Sequence, residues 1–90
     1  MAHVAFTRHL QRFFPELAEG EVPGSTVREL VAQLDLRHPG LASYLVDETG
    51  RLRRHVNVFI GDEPIGDRVG LSDAVGPQAK VFILQALSGG

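Results

Sequence analysis

The stretch KVFILQALSGG, residues 80–90, decides how the rest of the chain is read. Its first part alternates, so a strand here turns Val81 and Ile83 to one face of a sheet and Phe82, Leu84 and Ala86 to the other. The strand then runs into Leu87-Ser88-Gly89-Gly90. Two glycines carry no Cβ and tolerate any backbone angle, which makes this ending a thin rod able to thread a narrow channel. The bland alternative is a glycine-rich end that frays. The rod reading gains weight because the glycines follow a hydrophobic strand directly.

Working outward, RRHVNVFIG at 53–61 has the strictest alternation in the chain. It puts Val56, Val58 and Ile60 on one face and His55, Asn57 and Phe59 on the other. At the start, HVAFTR (3–8) reads as a strand with Val4 and Phe6 sharing a face, and EGEV (19–22) as a short strand closing a hairpin. Between them Leu10, Phe13, Phe14 and Leu17 have helical spacing, but Pro15 interrupts it, so residues 9–18 read as a packed loop. Thr26-Val27-Arg28-Glu29 fits a capping box, with Thr26 accepting from the third helical residue and Glu29 reaching back. Val27, Leu30, Val31 and Leu34 then form one apolar stripe, Arg37 suits the negative end of the helix dipole, and Pro39-Gly40 stops the helix. Leu41, Tyr44 and Leu45 suggest one further helical turn, Asp47–Gly50 a tight turn, Ile65 a brief edge strand, and Leu71–Val75 a short helical turn. The order strand, strand, helix, strand, short strand, strand predicts a single α+β domain over residues 1–90, with a flexible Gly-Gly tail from about residue 86. Its sheet has four to five strands and one main helix packed across one face.

That architecture leaves the second sheet face bare. Phe59, Phe82 and Leu84 then form an exposed patch that serves as a docking surface. The competing reading has Phe13 and Phe14 of the 9–18 segment folding over part of it.

Composition removes most other chemistry. Ninety residues allow one small core. Nine basic and eleven acidic side chains give a net charge of −2, which argues against nucleic-acid binding by bulk charge and against a polybasic membrane anchor. No apolar run approaches the length of a membrane span and none near the start resembles a secretion signal, so a cytoplasmic chain is expected. With no cysteine there is no disulfide, thiolate zinc site or cysteine nucleophile. His3, His9, His38 and His55 lack metal-ligand spacing, so no metal site is expected. No Gly-x-Ser-x-Gly elbow occurs, and Gly66-Asp67-Arg68-Val69-Gly70 is too short for a phosphate loop and lacks its Lys-Ser/Thr. Arg51, Arg53 and Arg54 read equally as a grip on an acidic surface or as a charged strand entrance.

Taken in order and spacing, VPGSTVREL (22–30), HPGLASYLVDETGRLRRHVNVFIGDE (38–63), GLSDAV (70–75) and the VFILQALSGG ending resemble the MoaD/ThiS family of small ubiquitin-like sulfur carriers. The family's fold is the β-grasp. HVNVFIGDE and GLSDAV are most similar to the CysO-type carriers, and the long Leu41–Arg54 segment departs from the shorter thiamin-synthesis type. Gly76-Pro77-Gln78-Ala79 and Gln85-Ala86 stand where molybdopterin-type carriers have an acidic turn and a proline pair, which points away from a molybdopterin synthase partner.

The resemblance implies that the chain is a co-substrate and not an enzyme. A ubiquitin-activating-type adenylyltransferase, using ATP and magnesium, would adenylate the Gly90 carboxylate, and a sulfur donor would convert it to a thiocarboxylate. Ala86, Leu87, Ser88 and Gly89 would form the arm inserted into partner active sites, with Phe59, Phe82 and Leu84 docking those partners. The chain would bind no cofactor. Its partners would be the adenylyltransferase, a sulfur-accepting biosynthetic enzyme and a tail-processing metalloprotease. Two other functions share the fold: a ubiquitin-like modifier joined through Gly90 to lysines, and a plain interaction module with a passive tail. Lys80 is the chain's one lysine, which disfavours a polymeric tag.

Overall fold

The computed structural model describes residues 1–85. Strand β1 is Ala2–Phe6, β2 is Gly20–Val22, β3 is Val56–Ile60, β4 is Glu63–Pro64 and β5 is Lys80–Gln85; helix α1 is Val27–Arg37 and α2 is Leu41–Leu45. They form a five-stranded mixed sheet in the order β2-β1-β5-β3-β4, in which β1 and β5 run parallel and the other pairs antiparallel. The most hydrophobic strand therefore lies in the middle, paired on both edges. This is the β-grasp arrangement.

Strand parity decides the core. Val4, Val56, Val58, Val81 and Ile83 are all buried against Leu30, Val31 and Leu34 of α1 and Leu41 and Leu45 of α2. The helix forms where its stripe and cap predict, with Val27, Leu30, Val31 and Leu34 all buried. The N–H of Glu29 donates to Thr26 Oγ1 at 3.2 Å. The Glu29 carboxylate reaches one residue further back than the capping box requires, accepting from the Ser25 N–H at 2.7 Å and the Ser25 hydroxyl at 2.9 Å.

Four local expectations are corrected. Residues 71–75 are not a helical turn: Ala74 makes an antiparallel bridge with Thr26, and the loop's carbonyls serve the helix instead. The N–H groups of Val27 and Arg28 donate to Asp73 O and Leu71 O at 3.1 and 2.9 Å, which satisfies two first-turn donors that have no partner inside the helix. Leu71 takes a left-handed φ of 54°, a conformation costing about 1–2 kcal/mol, offset by burial of its side chain. The packed loop at 9–18 begins as a 3-10 helix over Arg8–Arg12 that buries Leu10 before Pro15 is reached. Ile65 follows the edge strand rather than sitting in it, and its N–H donates to Val58 O at 3.0 Å. Arg53 to His55 lie ahead of β3, and Thr7 and Arg8 beyond β1.

Candidate functional site

Register brings the expected patch together. Phe82 on β5 pairs with Phe59 on β3 and with Ala5 on β1, and Phe59 pairs in turn with Pro64 on β4. Leu84, two residues on, lies opposite Asn57. Phe82 is 40% exposed, whereas Phe59 and Leu84 are half-buried. Among the described residues the helices and the buried core all lie on the other side of the sheet. The 9–18 segment does not cover this face. Phe13 and Phe14 instead close on Tyr44 of α2, with ring centroids 5.0 and 5.3 Å apart, and Leu10 and Leu17 are buried with the helices. A hollow of about 320 Å³ beside Phe82 gives the patch a polar edge, where Lys80 stands near His3, whose Nε2 lies 2.8 Å from Glu19 Oε2.

Gln85 is the last described residue of β5. The Gln85 N–H donates to Thr7 Oγ1 at 3.3 Å. The parallel pairing with β1 and the antiparallel pairing with β3 bring the start of the 3-10 helix and the entrance of β3 to the same pole as Gln85. The expected working residue Gly90 and the arm Ala86, Leu87, Ser88 and Gly89 lie outside the described residues. Arg8, His9, Arg12 and Gln85 at this pole were not singled out from sequence. The parallel pairing of β1 with β5 is the signal that brings Arg8, His9 and Arg12 to the pole of Gln85.

Several other ionisable groups do structural work. Asp67 is held down to about 2 by the Ser72 hydroxyl and by the N–H groups of Gly70, Ser72 and Val69. Asp47 lies below the usual carboxylate range chiefly because it accepts from the Thr49 hydroxyl, and Glu29 because it accepts from the Ser25 N–H and hydroxyl. These shifts arise inside single turns and mark loop closure rather than acid–base chemistry. Of the arginine cluster, Arg53 braces the β3 entrance, its Nε donating to Ser43 O at 2.9 Å, while Arg51 and Arg54 are exposed. Arg68 locks the same entrance by donating to Arg53 O and Val56 O at 2.7 and 2.8 Å. His9 stacks edge-on against Phe13, His38 caps the end of α1, and no three His, Asp or Glu side chains among the described residues come together as a metal site.

The family model described as the ThiS family matches residues 5–90, from β1 through the tail. The chain belongs to the ThiS family. Among curated relatives, the sulfur carrier protein CysO of Mycobacterium tuberculosis is 32% identical over 69 residues, covering 74% of each chain. Among solved structures, a chain of the Amycolatopsis orientalis BexX/CysO complex superposes with a TM-score of 0.84 at 29% identity, covering all of both chains. Crystalline CysO of Mycobacterium tuberculosis gives 0.82 at 25% identity over 97% of this chain and 100% of that one. The small archaeal modifier protein 1 of Methanosarcina acetivorans shares the fold, with a TM-score of 0.78 at 20% identity over 99% of this chain and 95% of that one. This ThiS-family chain is thus a ubiquitin-like β-grasp similar to the CysO carriers.

Proposed function

We propose that this chain is a sulfur carrier whose working group is the terminal carboxylate of Gly90. The observation that carries the reading is the family match, which runs through the tail to residue 90 and includes the central strand that holds it. A carboxylate is a poor electrophile because its charge is delocalised over two oxygens. Attack of one oxygen on the α-phosphorus of ATP, with loss of pyrophosphate, makes an acyl-adenylate. Sulfide then attacks the carbonyl carbon and AMP leaves with the oxygen, which leaves a thiocarboxylate at Gly90. The adenylyltransferase supplies ATP, magnesium and alignment, and a biosynthetic enzyme accepts the sulfur. Because these steps draw on ATP, we infer a cytoplasmic carrier.

The domain's part is to be held while its tail is inserted. The uncovered patch of Phe59, Phe82 and Leu84 docks the partners, and Ala86 to Gly89 form the arm that spans from dock to reaction centre. ATP–pyrophosphate exchange with a ubiquitin-activating-type adenylyltransferase tests this. Exchange is expected with the full chain and not after deletion of Gly90. Equal exchange by both chains refutes the assignment, and lysine-linked adducts in place of sulfur transfer favour a modifier.

A further inference from the structure

Gln85, the last described residue of β5, lies between two grooves. One, of about 600 Å³, is lined by Arg8, His9 and Arg12, and the other by Arg53 and His55. Among the described residues no aspartate or glutamate lines either groove. Arg54, exposed, follows Arg53 in the turn that enters β3. A chain of net charge −2 thus places three arginines, Arg8, Arg12 and Arg53, along the two grooves that meet at Gln85. Among the described residues the one ion pair is His3–Glu19, so none of these guanidinium groups has a carboxylate partner. A second observation falls at the same place. His9 Nδ1 and Gln85 Oε1 are buried without a hydrogen-bond partner, and they are the two such side-chain atoms in the described structure. Buried polar atoms are ordinarily satisfied, and both of these belong to residues that line the larger groove.

We propose that this basic collar docks an acidic rim around the mouth of the activating partner's channel. The inference rests on the carrier reading and adds the chemistry of the partner surface: carboxylates facing Arg8 and Arg12 along the larger groove and Arg53 along the other. Charges beside Gln85 steer the domain toward the channel before the apolar patch engages, so they act on encounter and orientation. Arg53, already bonded to Ser43 O, stiffens the collar.

A poly-glutamate peptide is the probe, titrated into the isotope-labelled full chain and followed by backbone amide resonances. Shifts are expected at Arg8, His9, Arg12, Arg53, His55 and Gln85, and are expected to vanish as salt rises from about 0.1 M to about 1 M, where the screening length falls from about 10 Å to about 3 Å. Replacing Arg8→Glu and Arg12→Glu together is expected to weaken peptide binding at least about tenfold. Arg8→Gln with Arg12→Gln is the milder pair should charge reversal disturb the fold. With the adenylyltransferase, the same pair is expected to raise KM for the chain about tenfold or more and leave kcat unchanged. Three results overturn the proposal: no localised shifts, variants that bind as the native chain does, or tighter binding of a single-stranded oligonucleotide through the same residues. A chain that is adenylated but ignores the peptide refutes the collar alone. One that binds the peptide through the collar but is never adenylated refutes the carrier reading alone.

Discussion

Adjacent residues on β5 lie on opposite faces of the sheet, and replacing each in turn separates the proposed docking from folding. Ile83 is 1% exposed and lies in the core beneath the helices, whereas Phe82 is 40% exposed on the bare face. Ile83→Ala leaves a cavity and is expected to cost about 2–5 kcal/mol, a large share of a small domain's stability. At roughly 4–8 °C per kcal/mol, its Tm falls by roughly 8–40 °C. A fully buried Phe contributes about 1.5–3 kcal/mol. The Phe82 ring is only partly hidden, against Phe59 and Ala5, and Thr keeps the strand preference, so Phe82→Thr is expected to cost about 1 kcal/mol. At the partner the order reverses. A buried aromatic at an interface centre is worth about 2 kcal/mol or more, so Phe82→Thr should lower kcat/KM for adenylation at least about 30-fold. Measured below its Tm, Ile83→Ala should be adenylated nearly as well as the native chain. Thermal unfolding followed by circular dichroism, paired with ATP–pyrophosphate exchange, reads both quantities. If Phe82→Thr unfolds as early as Ile83→Ala, the face is not bare. If it is stable and fully active, Phe82 does not dock the partner.

Three further outcomes test the fold's supports. Asp67 has its folded pKa depressed to about 2, so the stability it contributes is present above its unfolded value near 3.8 and is lost as pH falls toward 2. Asp67→Asn should therefore flatten the fall of Tm with acid over that window; an unchanged acid slope refutes the assignment. Thr26→Ala removes the side-chain acceptor for the Glu29 N–H and should cost about 1 kcal/mol in denaturant titration, and a loss near zero means the cap is idle. Gly24 has φ of 149° and a Cβ there would lie 3.0 Å from Leu30 Cδ2 and 3.2 Å from the Leu30 backbone N, so Gly24→Ala should cost about 1–3 kcal/mol. A neutral substitution would show that the turn before α1 relaxes freely.

Where a structural feature depends on local period, residue pattern reveals it. The alternation of 80–85 and 56–60 and the stripe at Val27, Leu30, Val31 and Leu34 determine which faces meet, and the sheet, its main helix and the bare patch at Phe82 follow from them. Residues 71–75 defeat such reasoning because their conformation answers to distant demands. Asp67 gathers the amides of the loop, and the helix N-terminus needs the carbonyls of Leu71 and Asp73. The 3-10 helix at Arg8–Arg12 escapes because Leu10 is drawn into a core formed by elements far along the chain. The collar is hidden for a similar reason: Arg8, Arg12 and Arg53 are remote in sequence, and only the flanking of β5 by β1 and β3 unites them.

The absence of cysteine makes the central claim unusually direct to test. Incubated with an adenylyltransferase, ATP, magnesium and sulfide, then treated with iodoacetamide, the chain should gain one alkyl group, and intact-mass fragmentation should place it at Gly90. No thiol exists elsewhere in the sequence to give that adduct. A chain that is adenylated yet takes up no alkyl group, or takes it up at a residue other than Gly90, contradicts the assignment of Gly90 as the sulfur-bearing residue.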